Sequence, residues 1–177
     1  VKTFEKDMTV LLCKQKANSR LVSNIPAGVK ILDEENLTLL PKAIKNPVEV
    51  ENERIAHIKD GVALTKFIYW LKKNVGKIPI TELSAEEKLY SFRAQQENFI
   101  DNSFDPIISY GKHAAIVHYF ATPETDIPIE PRSFVLADTG GNYYEGTTDT
   151  TRTIVMGSVT DEEKKFFTAV LRGMLNL

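Results

Sequence analysis

Asp138 and Asp149 are the two side chains whose types and spacing could do chemistry together. An apolar run, Val135-Leu-Ala, enters Asp138; Gly140, Gly141 and Asn142 supply turn chemistry; a threonine-rich run, Thr150-Thr-Arg-Thr, leaves Asp149. A fold-back about Tyr143 and Tyr144 sets the two aspartates directly opposite each other. Directly opposed residues of an antiparallel pair have Cβ atoms about 4.5–5.5 Å apart, where two carboxylates repel unless a proton or a cation lies between them. A divalent metal meets that need, and two-metal hydrolytic sites hold ions about 3.5–4 Å apart, within reach of one bridging and one chelating carboxylate. Two plainer readings stay open: aspartates in glycine-rich loops are commonly turn formers, and Arg152 could neutralise part of the charge in an ion pair. An EF-hand loop is excluded, because Gly140 stands at its third position and Tyr143 where its central glycine is required.

The histidines differ in context. His57, between Ala56 and Ile58, reads as a packed or surface residue of a helix, and His113, in Gly-Lys-His, as a solvated turn residue. His118 follows Ala114-Ala-Ile-Val in an apolar run with strand character. A lone histidine there is either a hydrogen-bonded core residue or a functional group.

Several elements must position these residues. Residues 9–13 and 29–32 read as short strands flanking a helix over 15–24, a β-α-β unit too small to close a core. Asn46-Pro47 places a capping residue before a helix-first proline. From there Ile55, Ile58, Val62, Thr65, Ile68 and Leu71 recur at steps of three and four, predicting one long helix ended by Asn74 and Gly76. Ser84 with Glu87, and Thr160 with Glu163, read as capping boxes opening two more helices, the first carrying Leu89, Phe92 and Gln96 on one side. Residues 107–110, 114–120, 133–138 and 150–156 read as strands. The fold class is α+β, with a domain boundary after residue 44, so that 1–44 and 45–177 belong to different domains.

Composition narrows the function. With 22 Lys plus Arg against 24 Asp plus Glu and a formal charge of -2, the chain offers no basic field, so nucleic acid is not an expected partner. No apolar run approaches the roughly 20 residues of a membrane span. The single cysteine, Cys13, can form neither an internal disulfide nor a thiolate metal site, which fits the cytoplasm. The chain begins Val1-Lys2 and ends inside an apolar helical pattern, so both ends read as cut.

Five ordered segments resemble the Xaa-Pro aminopeptidases, within the metal-dependent pita-bread hydrolases that include prolidase, methionine aminopeptidase and creatinase. They are Lys45-Asn-Pro-Val-Glu-Val-Glu-Asn with Ala56-His-Ile-Lys-Asp-Gly, Ser84-Ala-Glu-Glu-Lys-Leu with Phe92-Arg-Ala-Gln-Gln, Ala115-Ile-Val-His118-Tyr, Asp138 through Asp149 to Thr153, and Phe167-Thr-Ala-Val-Leu-Arg-Gly. The resemblance implies two divalent ions, usually manganese, that activate a water to cleave the bond before a proline in second position. Asp138 matches the aspartate that chelates one metal, Asp149 the aspartate that bridges both, and His118 a histidine that hydrogen-bonds substrate and moves protons. Thr151 and Arg152 match residues that orient those carboxylates. The family's remaining ligands, one His and two Glu, lie downstream of Leu177. The resemblance therefore describes the end of a non-catalytic middle domain (1–44) and the first half of a pita-bread catalytic domain (45–177), without aminopeptidase activity alone and with apolar surface left uncovered. Family members are often homodimers. A prolidase-type dipeptidase and a non-catalytic pita-bread binding protein are the alternatives.

Overall fold

The computed structural model describes residues 3–177, which divide into two compact units at Val48/Glu49. In the first, strands β1 (Thr9–Leu12) and β2 (Lys30–Asp33) pair in parallel, Val10 beside Ile31 and Leu11 beside Leu32, around helix α1 (Ser19–Ser23), so the expected β-α-β unit forms. The helix is shorter than the expected 15–24 because Asn18 caps it, its side chain accepting the Arg20 N–H at 3.0 Å. A short helix α2 (Leu39–Ala43) follows.

The second unit is built on α3 (Pro47–Asn74), the long helix that the proline and the apolar spacing predict. Its buried face is not the predicted one. Ala56, Asp60, Ala63, Leu64, Phe67 and Leu71 are buried, whereas Ile58 is 67% exposed and only Leu71 of the predicted stripe is fully enclosed. The alanines let neighbouring elements come close, and a charged residue, Asp60, takes a core position because a cation meets it there. Helix α4 (Glu82–Arg93) opens three residues earlier than predicted. Thr81 is the N-cap, accepting the Ser84 N–H at 3.2 Å while Ser84 Oγ accepts the Thr81 N–H at 2.8 Å, so Ser84 closes the capping box instead of opening it.

Strand β3 (Phe99–Asn102), not foreseen, pairs with β6 (Gly141–Tyr143). Strands β4 (Ile107–Tyr110), β5 (Phe134–Thr139) and β7 (Thr150–Val155) form an antiparallel sheet in the order β4-β5-β7. Along β5, Val135, Ala137 and Thr139 are buried, while Phe134, Leu136 and Asp138 alternate onto the other, partly open face. The buried face meets Phe67, Leu71 and Leu89 in one core. Strand β4 lies at the sheet edge, and a carboxylate of α4 takes one of its outward N–H groups: Glu82 accepts from Tyr110 at 2.7 Å.

Helix α5 (Asp161–Leu175) is opened by the predicted Thr160–Glu163 capping box, with Thr160 Oγ1 accepting the Glu163 N–H at 3.1 Å. It buries no residue; Phe166, Val170 and Met174 are exposed, and Phe167 stacks on Phe134 with ring centroids 5.4 Å apart. No helix among the described residues is long and apolar enough to cross a membrane.

Candidate metal centre

The predicted hairpin forms, with its register moved by two residues. Asp138 pairs with Thr151, Ala137 with Arg152 and Thr139 with Thr150. The same register continues past Asp149, because Thr148 N–H donates to Gly141 O at 2.9 Å and Asn142 bridges to Thr147. The tip is Tyr144-Glu145, closed by Tyr143 N–H to Gly146 O at 2.9 Å, rather than Tyr143-Tyr144. Asp149 therefore stands beside Gly140 and diagonal to Asp138 instead of directly opposite it. A two-residue shift preserves the face, since side chains alternate with a period of two. The carboxylates share one face of the ladder as diagonal neighbours, a spacing of about 7–8 Å between Cα positions.

Local chemistry locks this register. Glu145 at the tip accepts Lys59 Nζ at 2.6 Å and Asn98 Nδ2 at 2.8 Å, and these bonds hold its carboxyl below the usual range. Gly140 tolerates no side chain, because a Cβ there would lie 1.9 Å from the Thr148 carbonyl oxygen and 2.2 Å from Ser103 Oγ. Thr151 Oγ1 donates to Asp138 Oδ1 at 2.7 Å, fixing the carboxylate's rotation. Arg152 does not act on the aspartates: its partner Ala137 points to the opposite face, and Arg152 lines a cleft of about 200 Å³ with His57, Thr65 and Thr150. The alternative of an ion pair between Arg152 and the aspartates finds no such pair among the described residues, nor any orienting bond from Arg152 to them.

Beneath Thr139, the residue after Asp138, lies a buried ionic group that sequence reasoning missed. Arg93, with no exposure, donates from Nε to Asp60 Oδ1 at 2.7 Å and from Nη2 to Asp60 Oδ2 at 3.3 Å; Nη2 also reaches Thr139 Oγ1 at 3.0 Å. Tyr143 OH donates to Asp60 Oδ1 at 3.1 Å, and burial, then the Asp60 carboxylate, push its hydroxyl well above the usual range. One bidentate pair thus joins α3 and α4 to the first arm of the hairpin, at Thr139 of β5 and Tyr143 of β6. Its sequence signal was a charged residue in phase with apolar ones: Asp60 with Ala56, Leu64 and Phe67, and Arg93 with Ala85 and Leu89.

The expected environments of His113 and His118 are reversed, whereas His57 is a surface residue of α3 as read. Residues 114–120 do not form a strand; Gly111–Ala115 is a 3₁₀ turn, and His118 sits exposed in a following turn with φ 57°. His113, expected in solvent, is buried, its Nδ1 3.0 and 3.1 Å from the Glu82 carboxylate oxygens. The contact between His113 Nδ1 and the Glu82 carboxylate draws this segment inward and turns it out of the sheet direction. Positive φ is uncommon outside glycine and tends to be retained where surroundings enforce it. Among the described residues no hydrogen bond or ion pair links His118 to Asp138 or Asp149, and no three His, Cys, Asp or Glu side chains converge as a metal-holding group. The donor set present, two carboxylates on one face with one oriented by a threonine, fits part of a hard-cation shell.

The family model for metallopeptidase family M24 matches residues 51–177. A probable Xaa-Pro aminopeptidase P of Paracoccidioides brasiliensis is 46% identical over 136 residues, covering 76% of this chain and 22% of the relative, so the chain spans about a fifth of that protein's length. The crystal structure of an X-prolyl aminopeptidase from Caenorhabditis elegans, described as a cytosolic enzyme with a di-nuclear active site, superposes with a TM-score of 0.72 at 31% identity over 79% of this chain and 23% of that one. An Xaa-Pro dipeptidase from Bacillus anthracis shares the fold, with a TM-score of 0.74 at 22% identity over 95% of this chain and 45% of that one. The α+β architecture is thus that of the aminopeptidase P and prolidase pita-bread enzymes, and the chain belongs to metallopeptidase family M24.

Proposed function

We propose that residues 45–177 are the first half of the catalytic domain of a cytoplasmic Xaa-Pro aminopeptidase and that residues 1–44 end a preceding non-catalytic domain. The observation that carries this reading is the placement of Asp138 and Asp149 on one face of a hairpin whose register Gly140 and Glu145 lock and whose first arm the Arg93–Asp60 pair anchors. In it Asp138 would hold one of two divalent cations, manganese in our reading, and Asp149 would be shared between both, with a His and two Glu from elsewhere in the full-length protein completing the set. Such ions, when bound, lower the pKa of an attacking water and polarise the scissile carbonyl. Thr151 holds Asp138 in one rotation. His118, exposed on its turn, donates a hydrogen bond to the substrate as charge develops, a role worth about 3 kcal/mol in comparable sites.

Substrates are peptides with proline in second position, and the full-length protein is a homodimer in this reading. Two aspartates leave most of a cation's coordination sphere to water, so the 177-residue chain alone is inactive. The 46% identity to a probable aminopeptidase favours that activity over the dipeptidase one, whose 22% likeness bears on the fold alone. The test is hydrolysis by the full-length, manganese-loaded protein. Cleavage of Xaa-Pro-Xaa peptides in preference to Xaa-Pro dipeptides is expected. Preference for dipeptides would make it a prolidase, and no cleavage of either would make it a binding protein.

A further inference from the structure

We infer that Glu82 is a positioning residue for His118, an inference resting on the reading of His118 as a residue that touches substrate. Glu82 is the first residue of α4 and is fully buried. Its Oε1 accepts the Tyr110 N–H at 2.7 Å, its two oxygens lie 3.1 and 3.0 Å from His113 Nδ1, and its Oε2 accepts the Tyr119 hydroxyl at 3.2 Å. Tyr110 immediately precedes the 3₁₀ turn and Tyr119 immediately follows His118. One carboxylate therefore clamps both ends and the middle of the segment that presents His118. His113 and Tyr119 rings, 4.3 Å apart, fill the space between them, and Tyr119 OH is also 3.1 Å from Thr125 Oγ1.

The clamp explains how His118 is kept at φ 57° on a turn whose neighbours Ile116 and Val117 are largely exposed. A carboxylate suits this role better than an amide. Tyr110 N–H, His113 Nδ1–H and Tyr119 O–H are three donors converging on two oxygens, and a glutamine would turn one acceptor into a donor and leave at least one buried donor unpaired.

The test is a double-mutant cycle on kcat/KM in the full-length protein, with metal content and thermal midpoint recorded for each variant. Glu82→Gln, and the milder Tyr119→Phe, are each combined with His118→Ala. Misplacing a substrate-contacting group by about an ångström costs on the order of 10- to 100-fold. The expected result is a loss of about 10-fold for Glu82→Gln and a smaller one for Tyr119→Phe, both vanishing in the His118→Ala background with metal content unchanged. Equal losses with and without His118, or no loss from either variant, would overturn the inference, since a merely structural role lowers both backgrounds alike. Tyr119→Phe carries the cycle if Glu82→Gln does not fold. An unchanged kcat/KM in His118→Ala itself would instead refute the reading of His118, and the two failures are told apart by that single variant.

Discussion

Replacing Asp60 by asparagine isolates the ionic group that anchors the first arm of the aspartate-bearing hairpin. Asp60 accepts two bonds from Arg93, at 2.7 and 3.3 Å, and one from Tyr143 at 3.1 Å, with side-chain exposures of 3% for Asp60 and 0% for Arg93. Asparagine keeps one acceptor oxygen but turns an NH₂ toward the guanidinium, leaving Arg93 only neutral acceptors: that amide oxygen, Thr139 Oγ1 at 3.0 Å and Asn102 Oδ1 at 3.5 Å. Solvent cannot screen the stranded charge, so the loss falls in the range for breaking a buried pair, about 3–5 kcal/mol. Asp60→Leu with Arg93→Met removes both charges. It leaves Tyr143, Thr139 and Asn102 short of partners, at about 1 kcal/mol each. The double variant should therefore be more stable than the sum of its single effects by about 2 kcal/mol or more. Equilibrium urea unfolding of the 177-residue chain measures all four corners. A loss below about 1 kcal/mol for Asp60→Asn, or strict additivity, would refute the claim that this pair is a coupled buried unit.

Glu86 supplies a pH test. Burial raises its carboxyl to about 7 from 4.5, with Glu82, Asp126 and Asp105 adding to the rise and the Ile108 bond opposing it. A carboxyl raised in the folded state favours folding while protonated, so stability is fullest below about pH 4.5 and falls as pH climbs through 7. With partial solvent screening the loss is about 1–2 kcal/mol. Glu86→Gln should flatten the profile and be more stable than wild type at pH 8 in urea melts, and an unchanged slope would contradict this. Gly140→Ala forces a methyl against the Thr148 carbonyl, where the backbone must move, and should cost about 2–4 kcal/mol; a change under about 0.5 kcal/mol would show the register is not held there.

Much of the fold was legible where signals are local. Asn46-Pro47 marks the start of α3, Thr160 and Glu163 the start of α5, and the hydrophobic run into Asp138 marks β5. The hairpin was legible, but its register was not, because centring the turn by symmetry ignores what the tip touches: Glu145 on Lys59 and Asn98 moves the turn by one residue. The shift left both aspartates on one face, so the metal reading keeps its geometry in diagonal form. Arg152 changed role through the same alternation, since a residue beside Thr151 must point away from Asp138. Buried charge was the blind spot. Composition places Asp60, Arg93 and Glu82 on surfaces, and only their long-range partners make burial tolerable. His113 and His118 exchanged environments for that reason, since apolar neighbours do not reveal a Glu82 some thirty positions away.

The most direct test of the central claim is residue-resolved NMR of the 177-residue chain titrated with Mn²⁺, whose paramagnetism reports even weak binding, repeated on Asp138→Ala and Asp149→Ala. If the two carboxylates grip a divalent cation together, broadening begins at Thr139, Gly140, Thr150 and Thr151 and disappears from that region in both variants. Broadening that spares these residues, or that persists unchanged when either aspartate is removed, would contradict the account.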